Sequence, residues 1–216
     1  MNFIKMDLSR WERKEHFEHY LRTSRCSYSL TVDIDVTNLL DVVKSKGLKT
    51  YPAQIYMITT VVNQFREFRM SFDEQGNLGY WEMSNPLYTV LNRETETFSA
   101  IWTTYDSNFE SFYTSCIMDI DQYATGKFSP QNGTPPNICS ISSIPWLDFT
   151  AFNLNVYSEG DYLLPVFTIG KYTKSNGQTM MPLAIQVNHA VCDGLHAGRF
   201  VETLRGMASN PNRWLL

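Results

Sequence analysis

The stretch "LLPVFTIGKYTKSNGQTMMPLAIQVNH", residues 163–189, decides the fold. Two apolar runs flank a polar segment around Asn176-Gly177, the dipeptide that tight β-hairpin turns favour most. From Leu183 to Val187 every second residue is a large aliphatic one, which is the period of a strand with one buried face. The stretch therefore predicts an antiparallel hairpin whose second strand ends where His189 begins.

Helices are predicted where apolar residues recur at three- and four-residue steps. The first, in "DLSRWERKEHFEHYLR", is expected to begin at Ser9, because Ser9 and Glu12 have the spacing of a capping box. Others are expected in "NLLDVVKSK", which stops at Gly47, and in "YPAQIYMITTVVNQF" and "SNFESFYTSCIMDIDQY". A last helix over "LHAGRFVETLRGM" closes the chain.

Strand patterns occupy much of the remaining sequence. "YSLTVDIDV" alternates from Tyr28 to Val36, and Gly76, Gly79 and Pro86 separate short apolar runs further along. Because hairpin signals outnumber parallel crossovers, we expect an α/β fold, a two-layer sandwich in which helices pack on a mixed, largely antiparallel sheet. A hydrophobic fraction of 43% supports one large core, so we expect a single domain over residues 1–216.

Charge and composition exclude several classes of function. The net charge is −4 and no run of Lys and Arg could follow a phosphate backbone, so we expect no nucleic-acid partner. The longest apolar stretches fall short of the ~20 residues of a membrane span, and charges interrupt the N-terminus, so we expect a cytoplasmic protein without membrane association. Cys26, Cys116, Cys139 and Cys192 form no C-x-x-C pair, which favours packed thiols over a zinc or redox site.

The stretch "IQVNHAVCDGLH", residues 185–196, carries the candidate chemistry. His189 lies where a strand gives way to a helix, a junction that holds a side chain rigidly while exposing it, so His189 is either a catalytic base or a structural histidine. Asp193 either caps the helix after Gly194 or pairs with an arginine. A metal site is disfavoured, because catalytic zinc needs three protein ligands and no third lies nearby in sequence. Cys192 could be a nucleophile, but packing is its simpler role.

The "NHAVCDG" motif resembles the H-x-x-x-D-G signature of chloramphenicol acetyltransferases. "WERKEHFEHY", "YPAQIYMI", "FRMSF", "YTVLNRETETFSAIW", "SIPWLDFTAFNLNV" and "PVFTIGKY" resemble blocks of that family in the same order. The resemblance extends from Trp11 to Arg205 and favours the catalytic role of His189. It implies that the acetyl group of acetyl-CoA passes to the 3-hydroxyl of chloramphenicol in a ternary complex, without a covalent acyl-enzyme, which inactivates the antibiotic and confers resistance.

The same resemblance assigns roles to individual residues. His189 is implied as the general base, with its near ring nitrogen donating to its own backbone carbonyl, and proton transfer of this kind gives about 10²- to 10⁴-fold. Ser142 is implied as a donor to the oxyanion on the attacked carbonyl, and Thr168 as the holder of a water beside it. Asp193 is implied to pair with Arg13 of the first helix and so to fix the loop that carries the base.

The binding residues are also implied by the resemblance, and a mostly apolar, aromatic cavity would suit chloramphenicol. Positions that match the antibiotic pocket are Tyr20, Cys26, Tyr28, Thr89, Phe98 and Leu154. Positions that match the coenzyme A channel are Tyr51, Trp146 and Tyr172. Acetyl-CoA is implied as a co-substrate, and no metal or tightly bound cofactor is expected.

One position departs from the family pattern, and two alternative functions stay open. Asn188 stands where many members have a second histidine, but neighbouring strand residues point to opposite faces, so we expect little effect on the base. The resemblance implies a homotrimer with active sites at subunit interfaces. The alternatives are the catalytic core of a dihydrolipoamide acyltransferase, which usually carries lipoyl and subunit-binding modules, and a catalytically silent binding protein that kept the fold.

Overall fold

The computed structural model describes residues 2–156 and 162–215. The strands are β1 Phe3–Lys5, β2 Ser27–Asp35, β3 Met70–Phe72, β4 Leu78–Trp81, β5 Asn85–Asn92, β6 Thr97–Trp102, β7 Ile138–Ile144, β8 Val166–Gly170, β9 Thr173–Ser175 and β10 Gln178–Asn188. The α-helices are α1 Lys14–Glu18, α2 Thr37–Ser45, α3 Thr50–Val62, α4 Phe109–Tyr123 and α5 Gly194–Ser209.

The hairpin predicted from the Asn176-Gly177 pair forms. Both residues have positive φ, 49° and 80°, as the turn type requires. β9 pairs antiparallel with the start of β10, β8 pairs with its middle, and β2 pairs along most of its length. β10 is therefore the strand around which this half of the sheet is organised, and it ends at Asn188 as predicted.

The main sheet has seven strands in the order β2-β10-β8-β7-β5-β6, with β9 attached to β10. The β5–β7 and β7–β8 pairs are parallel and the other pairs are antiparallel, which confirms a mixed, largely antiparallel sheet. Helices α2 to α5 pack against this sheet. Three short strands form a second antiparallel sheet in the order β1-β4-β3.

The core lies between the main sheet and the helices. Leu183, Ile185 and Val187 of β10 are buried there together with Phe200 of α5. Helix α3 is buried more completely than a helix with a single apolar face, because all its residues from Pro52 to Thr59 are buried. Within the described residues, no helix combines the length and the apolar composition that a bilayer crossing requires.

The first helix begins later than the sequence predicts. Ser9 lies in a turn, and Asp7 Oδ1 accepts hydrogen bonds from its backbone N–H at 3.0 Å and its hydroxyl at 2.6 Å. The capping-box prediction at Ser9 is wrong, because Asp7 rather than Glu12 accepts from the Ser9 N–H and α1 begins only at Lys14. Arg13 directly precedes α1 instead of lying within it, and a π-helical segment, His19–Thr23, follows α1.

The outer edge of β6 is covered by the segment that follows α4. The Gln131 side-chain amide accepts from the backbone N–H of Trp102 and donates to its carbonyl, both at 2.8 Å. The backbone N–H of Ala100 donates to the carbonyl of Phe128 at 2.7 Å. Backbone groups that a neighbouring strand would otherwise bind are thus satisfied within the chain.

Candidate active site

His189 follows directly on β10, and hydrogen bonds hold the chain on both sides of it. Its backbone N–H donates to the carbonyl of Cys26 at 2.9 Å, which continues the pairing of β10 with the chain before β2. The Asn188 amide accepts from the backbone N–H of Ala190 at 3.0 Å and donates to the Tyr162 carbonyl at 3.1 Å. Asn188 therefore stabilises the turn, so the residue that departs from the family pattern supports the backbone beside the candidate base.

The His189 ring is packed between two tyrosines. Tyr20 stacks on it with centroids 3.9 Å apart and planes inclined by 6°, and Tyr28 meets it edge-on at 5.3 Å. Nδ1 is buried and makes no hydrogen bond to another residue in the described part of the chain. The predicted bond from Nδ1 to the residue's own carbonyl stays a prediction, and the two aromatic contacts are what orient the ring here.

Arg13 and Asp193 form an ion pair across the loop that carries His189. Arg13 Nη1 donates to Asp193 Oδ2, and its Nη2 lies 3.5 Å from the His189 carbonyl and 3.4 Å from the Ala190 carbonyl. The side chains of Arg13 and Asp193 are only 18% and 31% exposed. The pairing predicted for these two residues is present in the structure, and the guanidinium also contacts the backbone of the candidate base.

Asp193 has both of the roles that its sequence position suggested. It is the N-cap of α5, where Oδ1 accepts from the backbone N–H of Leu195 at 3.1 Å. Burial alone would raise the pKa of its carboxyl, but His196, Arg13 and the N–H groups of the helix start lower it below its usual range. The carboxyl is therefore ionised at neutral pH.

Cys192 does not have the environment of a nucleophile. Its side chain is buried, and burial raises the pKa of the thiol to about 12. The four cysteines are free thiols, and only Cys26 among them is partly exposed. Within residues 2–156 and 162–215 no three His, Cys, Asp or Glu side chains come together as a possible metal site.

Ser142 and Thr168 are direct partners in the parallel pair β7–β8, and Thr168 is in turn paired with Ala184 of β10. The Ser142 hydroxyl lies 3.3 Å from the hydroxyl of Thr89 on β5. Three hydroxyl residues thus form a row across three neighbouring strands. Alternation along β7 and β8 places this row on the face opposite Ile141 and Phe167, which are buried under the helices.

The hydroxyl row lies far from His189 within one chain. His189 is five residues beyond Ala184 along β10 (189 − 184 = 5), which is about 17 Å of extended strand. Ser142 lies two strands to the side of Ala184, which adds about 10 Å in the perpendicular direction. The candidate base and the candidate oxyanion donor of one chain therefore cannot contact one substrate atom.

The residues predicted for the coenzyme A channel lie together. Tyr51, Trp146 and Tyr172 all line one cavity of about 1150 Å³, and so does Thr89. The Tyr51 hydroxyl donates to the Thr89 carbonyl at 3.2 Å. Ser143, next to Ser142, is also part of the lining, so the cavity extends to the strand that carries the hydroxyl row.

The residues predicted for the antibiotic pocket fall into separate groups. Tyr20, Cys26 and Tyr28 lie around His189, whereas Thr89 is beside Ser142. Phe98 is on β6, at the opposite edge of the sheet from β2, and it is 47% exposed. Leu154 lies in the loop after β7, where its backbone N–H donates to Gln186 of β10 at 3.0 Å. One chain does not bring these residues into a single pocket.

Sequence reasoning missed several polar residues at the cavity. Gln54 donates to the Tyr172 hydroxyl at 2.6 Å, and burial raises the pKa of that phenol to about 12, so it remains neutral. Gln54 is 3% exposed, and a glutamine in the middle of an apolar helix was the available signal. Arg93 and Lys171 also line the cavity, and no local motif distinguishes either from a solvated surface cation.

Solved structures of known proteins place the fold in one class. A chloramphenicol acetyltransferase superposes with a TM-score of 0.84 at 22% identity, covering 96% of this chain and 100% of that one. A dihydrolipoamide acetyltransferase from Azotobacter vinelandii superposes with a TM-score of 0.66 at 16% identity, covering 88% and 84%. The chain has the fold of the CoA-dependent acyltransferases.

Sequence comparisons narrow the class to a family. The family model described as chloramphenicol acetyltransferase matches residues 1–205. A chloramphenicol acetyltransferase of Clostridium perfringens is 50% identical over 216 residues, 100% of this chain and 99% of that protein. One of Staphylococcus aureus is 42% identical over 217 residues, 100% of both. The chain belongs to the chloramphenicol acetyltransferase family, and it is an acyltransferase.

Proposed function

We propose that this protein transfers the acetyl group of acetyl-CoA to the 3-hydroxyl of chloramphenicol, and that this transfer inactivates the antibiotic and confers resistance. The observation that carries the proposal is the rigid presentation of His189. Its backbone is bound to Cys26 and Arg13, and its ring is packed between Tyr20 and Tyr28. A catalytically silent protein has no need to hold a half-buried imidazole in this way. Family membership supports the choice of substrates.

The first chemical step is proton removal by His189. An alcohol is a poor nucleophile at neutral pH, so the imidazole takes the hydroxyl proton as the oxygen attacks the thioester carbonyl carbon. The carbonyl oxygen becomes an oxyanion on a tetrahedral intermediate. When this intermediate collapses, the carbon–sulfur bond breaks and the imidazolium returns the proton to the departing thiolate. The products are the 3-acetyl ester and free coenzyme A, and no acyl group is ever bound to the protein.

Ser142 is the proposed donor to the oxyanion. Its hydroxyl can donate to only one acceptor, and the Thr89 hydroxyl, 3.3 Å away, can in turn donate to the serine oxygen. This arrangement leaves the Ser142 proton for the intermediate. Thr168, its partner on β8, is proposed to hold a water beside the same oxygen. Donors fixed on sheet strands need little reorganisation as charge develops.

The two substrates are proposed to approach from different directions. The cavity lined by Tyr51, Trp146 and Tyr172 is proposed as the acetyl-CoA site, and its volume of about 1150 Å³ is large enough for a long, flexible co-substrate. Acetyl-CoA enters as a co-substrate in each turnover, and free coenzyme A leaves. Because it is an intracellular metabolite, we propose that the protein acts in the cytoplasm.

The active site is proposed to be completed by a second copy of the chain. The separation of His189 from Ser142 within one chain supports a homotrimer in which His189 of one subunit faces Ser142 and the antibiotic pocket of the next. Such a ring has three equivalent head-to-tail interfaces and therefore three sites. The separate groups of predicted pocket residues have the same explanation, since each subunit would contribute half of a pocket.

A thiol-release assay tests the proposed reaction. Purified protein with acetyl-CoA should release coenzyme A thiol when chloramphenicol is added, and should release none with the 3-deoxy analogue, which binds but lacks the attacking oxygen. Mass spectrometry of the product should find one added acetyl group. Equal thiol release with both compounds would mean that the protein hydrolyses the thioester or acetylates another position.

A further inference from the structure

We propose that His196 is a positioning residue for His189, the proposed base. The two histidines are seven positions apart (196 − 189 = 7), and a series of polar contacts joins them. In order, the series contains Glu67, His196, Asp193, Arg13 and the backbone carbonyl of His189. The proposal deepens the proposed function, because it names a residue on which the orientation of the general base depends.

The Asp193 carboxylate lies in the middle of this series of contacts, and its two oxygens have different partners. Oδ2 accepts from Arg13, whereas Oδ1 accepts from the Leu195 N–H at 3.1 Å and lies 2.9 Å from His196 Nδ1. The backbone N–H of Leu195 already holds Oδ1, and the imidazole of His196 adds a side-chain contact beside it, to Oδ1 or to the backbone N–H of Asp193. This added contact restricts the movement of Asp193, and with it the movement of Arg13.

His196 is attached to Asp193 whichever form its ring takes. Nδ1 lies 3.1 Å from the backbone N–H of Asp193, and an unprotonated Nδ1 accepts from it, as the reciprocal capping box at the start of α5 shows. A protonated Nδ1 donates instead to Asp193 Oδ1. Both contacts lead to the same residue, so the imidazole remains bound to the N-cap of α5 in either form.

Glu67 faces the other side of the ring. His196 Nε2 lies 3.9 Å from Glu67 Oε1, and the two side chains are only 13% and 15% exposed. The position of Glu67 is set by its neighbour Phe68, which is 1% exposed and stacks on Phe200 of α5 at 4.6 Å. The His196 ring thus lies between Glu67 on one side and Asp193, the N-cap of α5, on the other. A capping residue alone needs only the contact with Asp193.

Arg13 carries this constraint to the base. Its guanidinium reaches the carbonyls of His189 and Ala190 while it pairs with Asp193. A shift of Asp193 would therefore move the peptide on which the catalytic ring is mounted. Small displacements of a catalytic group are costly, and a misplacement near 1 Å lowers a rate by about 100-fold. We therefore expect His196 to act on kcat rather than on substrate affinity.

A set of substitutions at one position tests this expectation. His196→Ala should lower kcat about 10- to 100-fold while KM for both substrates changes little. Asn has a nitrogen or oxygen where His has Nδ1, so His196→Asn should keep the Asp193 contact and recover much of the lost kcat. Gln places its amide near the Nε2 position, so His196→Gln should keep the reach to Glu67 but recover less. His16→Asn, at an exposed histidine of α1, is the matched control and should leave kcat unchanged.

A second readout does not depend on turnover. In NMR spectra of protein labelled at histidine carbons, the ring signal of His189 should broaden or split in the His196→Ala variant. In His196→Asn the signal should return to its wild-type form. Melting temperature and trimer content are measured on the same samples. If wild-type protein releases no thiol with chloramphenicol, the proposed function fails and the ring signal alone decides the positioning role. An unchanged His189 signal, or a kcat that falls only in step with melting temperature in all three variants, would overturn the proposal.

Discussion

A mixture of two inactive variants tests whether one active site uses residues from two chains. In the single chain, His189 is about 17 Å along β10 and about 10 Å across the sheet from Ser142, so the two residues cannot share a substrate within one subunit. If a trimer is assembled from equal amounts of His189→Ala and Ser142→Ala chains, a boundary is intact when its first chain keeps the histidine and its second keeps the serine. Each condition has a probability of about 0.5, so about one quarter of all boundaries are intact.

The composition of the trimers gives the same fraction by another route. About three quarters of randomly formed trimers contain both kinds of chain, and each of these has one intact boundary out of three. The variants are unfolded, mixed and refolded together, mixed trimers are verified by native mass spectrometry, and thiol release is measured with acetyl-CoA and chloramphenicol. We expect about 25% of wild-type turnover, far above the residual activity of either parent.

A second mixture also distinguishes a site shared between two chains from a site within one chain, because here the shared site gives the lower turnover. Wild-type chains refolded with the His189→Ala/Ser142→Ala double variant should also give about 25% if the site spans a boundary, but about 50% if each chain holds a complete site. In that second case the mixture of single variants should show no gain over the mean of its parents. Turnover of 50% with the double variant and no gain with the single variants would refute the shared site.

Three further predictions concern catalysis and stability. His189→Ala should abolish nearly all turnover and Ser142→Ala should lower it about 10²- to 10³-fold, measured as kcat/KM, and unchanged kinetics in Ser142→Ala would remove that residue from the mechanism. Because the pKa of Asp193 is lowered in the folded state, its stabilising effect is complete above the unfolded pKa of about 3.9 and is lost as the pH falls through the lower folded value. Asp193→Asn should therefore lower the melting temperature at pH 7, and the difference from wild type should shrink in acid; a constant difference at all pH values would contradict the pairing. A Cβ at Gly79 would overlap a backbone carbonyl of β1, so Gly79→Ala should cost about 1–3 kcal/mol in chemical denaturation, whereas Gly198→Ala, whose Cβ would meet open space, should be neutral or stabilising.

The parts of the fold that were predicted from sequence are those in which local pattern and local structure coincide. The Asn176-Gly177 turn, the helix predicted to stop at Gly47, which ends two residues earlier at Ser45, and the strand that leads to His189 all formed, because each depends on residues within a few positions of one another. The first helix was misplaced for a local reason too. The carboxylates of Asp7 and Glu12 are both near Ser9 in sequence, and Asp7 accepts from both the N–H and the hydroxyl of Ser9. The capping-box pattern contains only Ser9 and Glu12, so it does not reveal this competing acceptor.

The arrangement of the candidate site depended on contacts between distant segments. The motif around His189 indicated a catalytic histidine, and the resemblance paired Asp193 with Arg13, 180 positions away. The parallel partners of β7 and the position of Glu67 beside His196 could not be predicted, because no residue pattern encodes which strands or turns become neighbours. Sequence therefore identified the chemical groups, and the structure supplied the distances between them.

The Gln131 amide at the edge of β6 has a consequence for how copies of the chain associate. The Gln131 side chain presents a carbonyl oxygen and an N–H side by side to the N–H and the carbonyl of Trp102, so it imitates a single residue of a missing strand. An uncovered edge would let the sheets of successive molecules pair edge to edge, and such growth has no natural limit. Gln131, together with the Phe128 carbonyl that binds Ala100, blocks this kind of growth at β6.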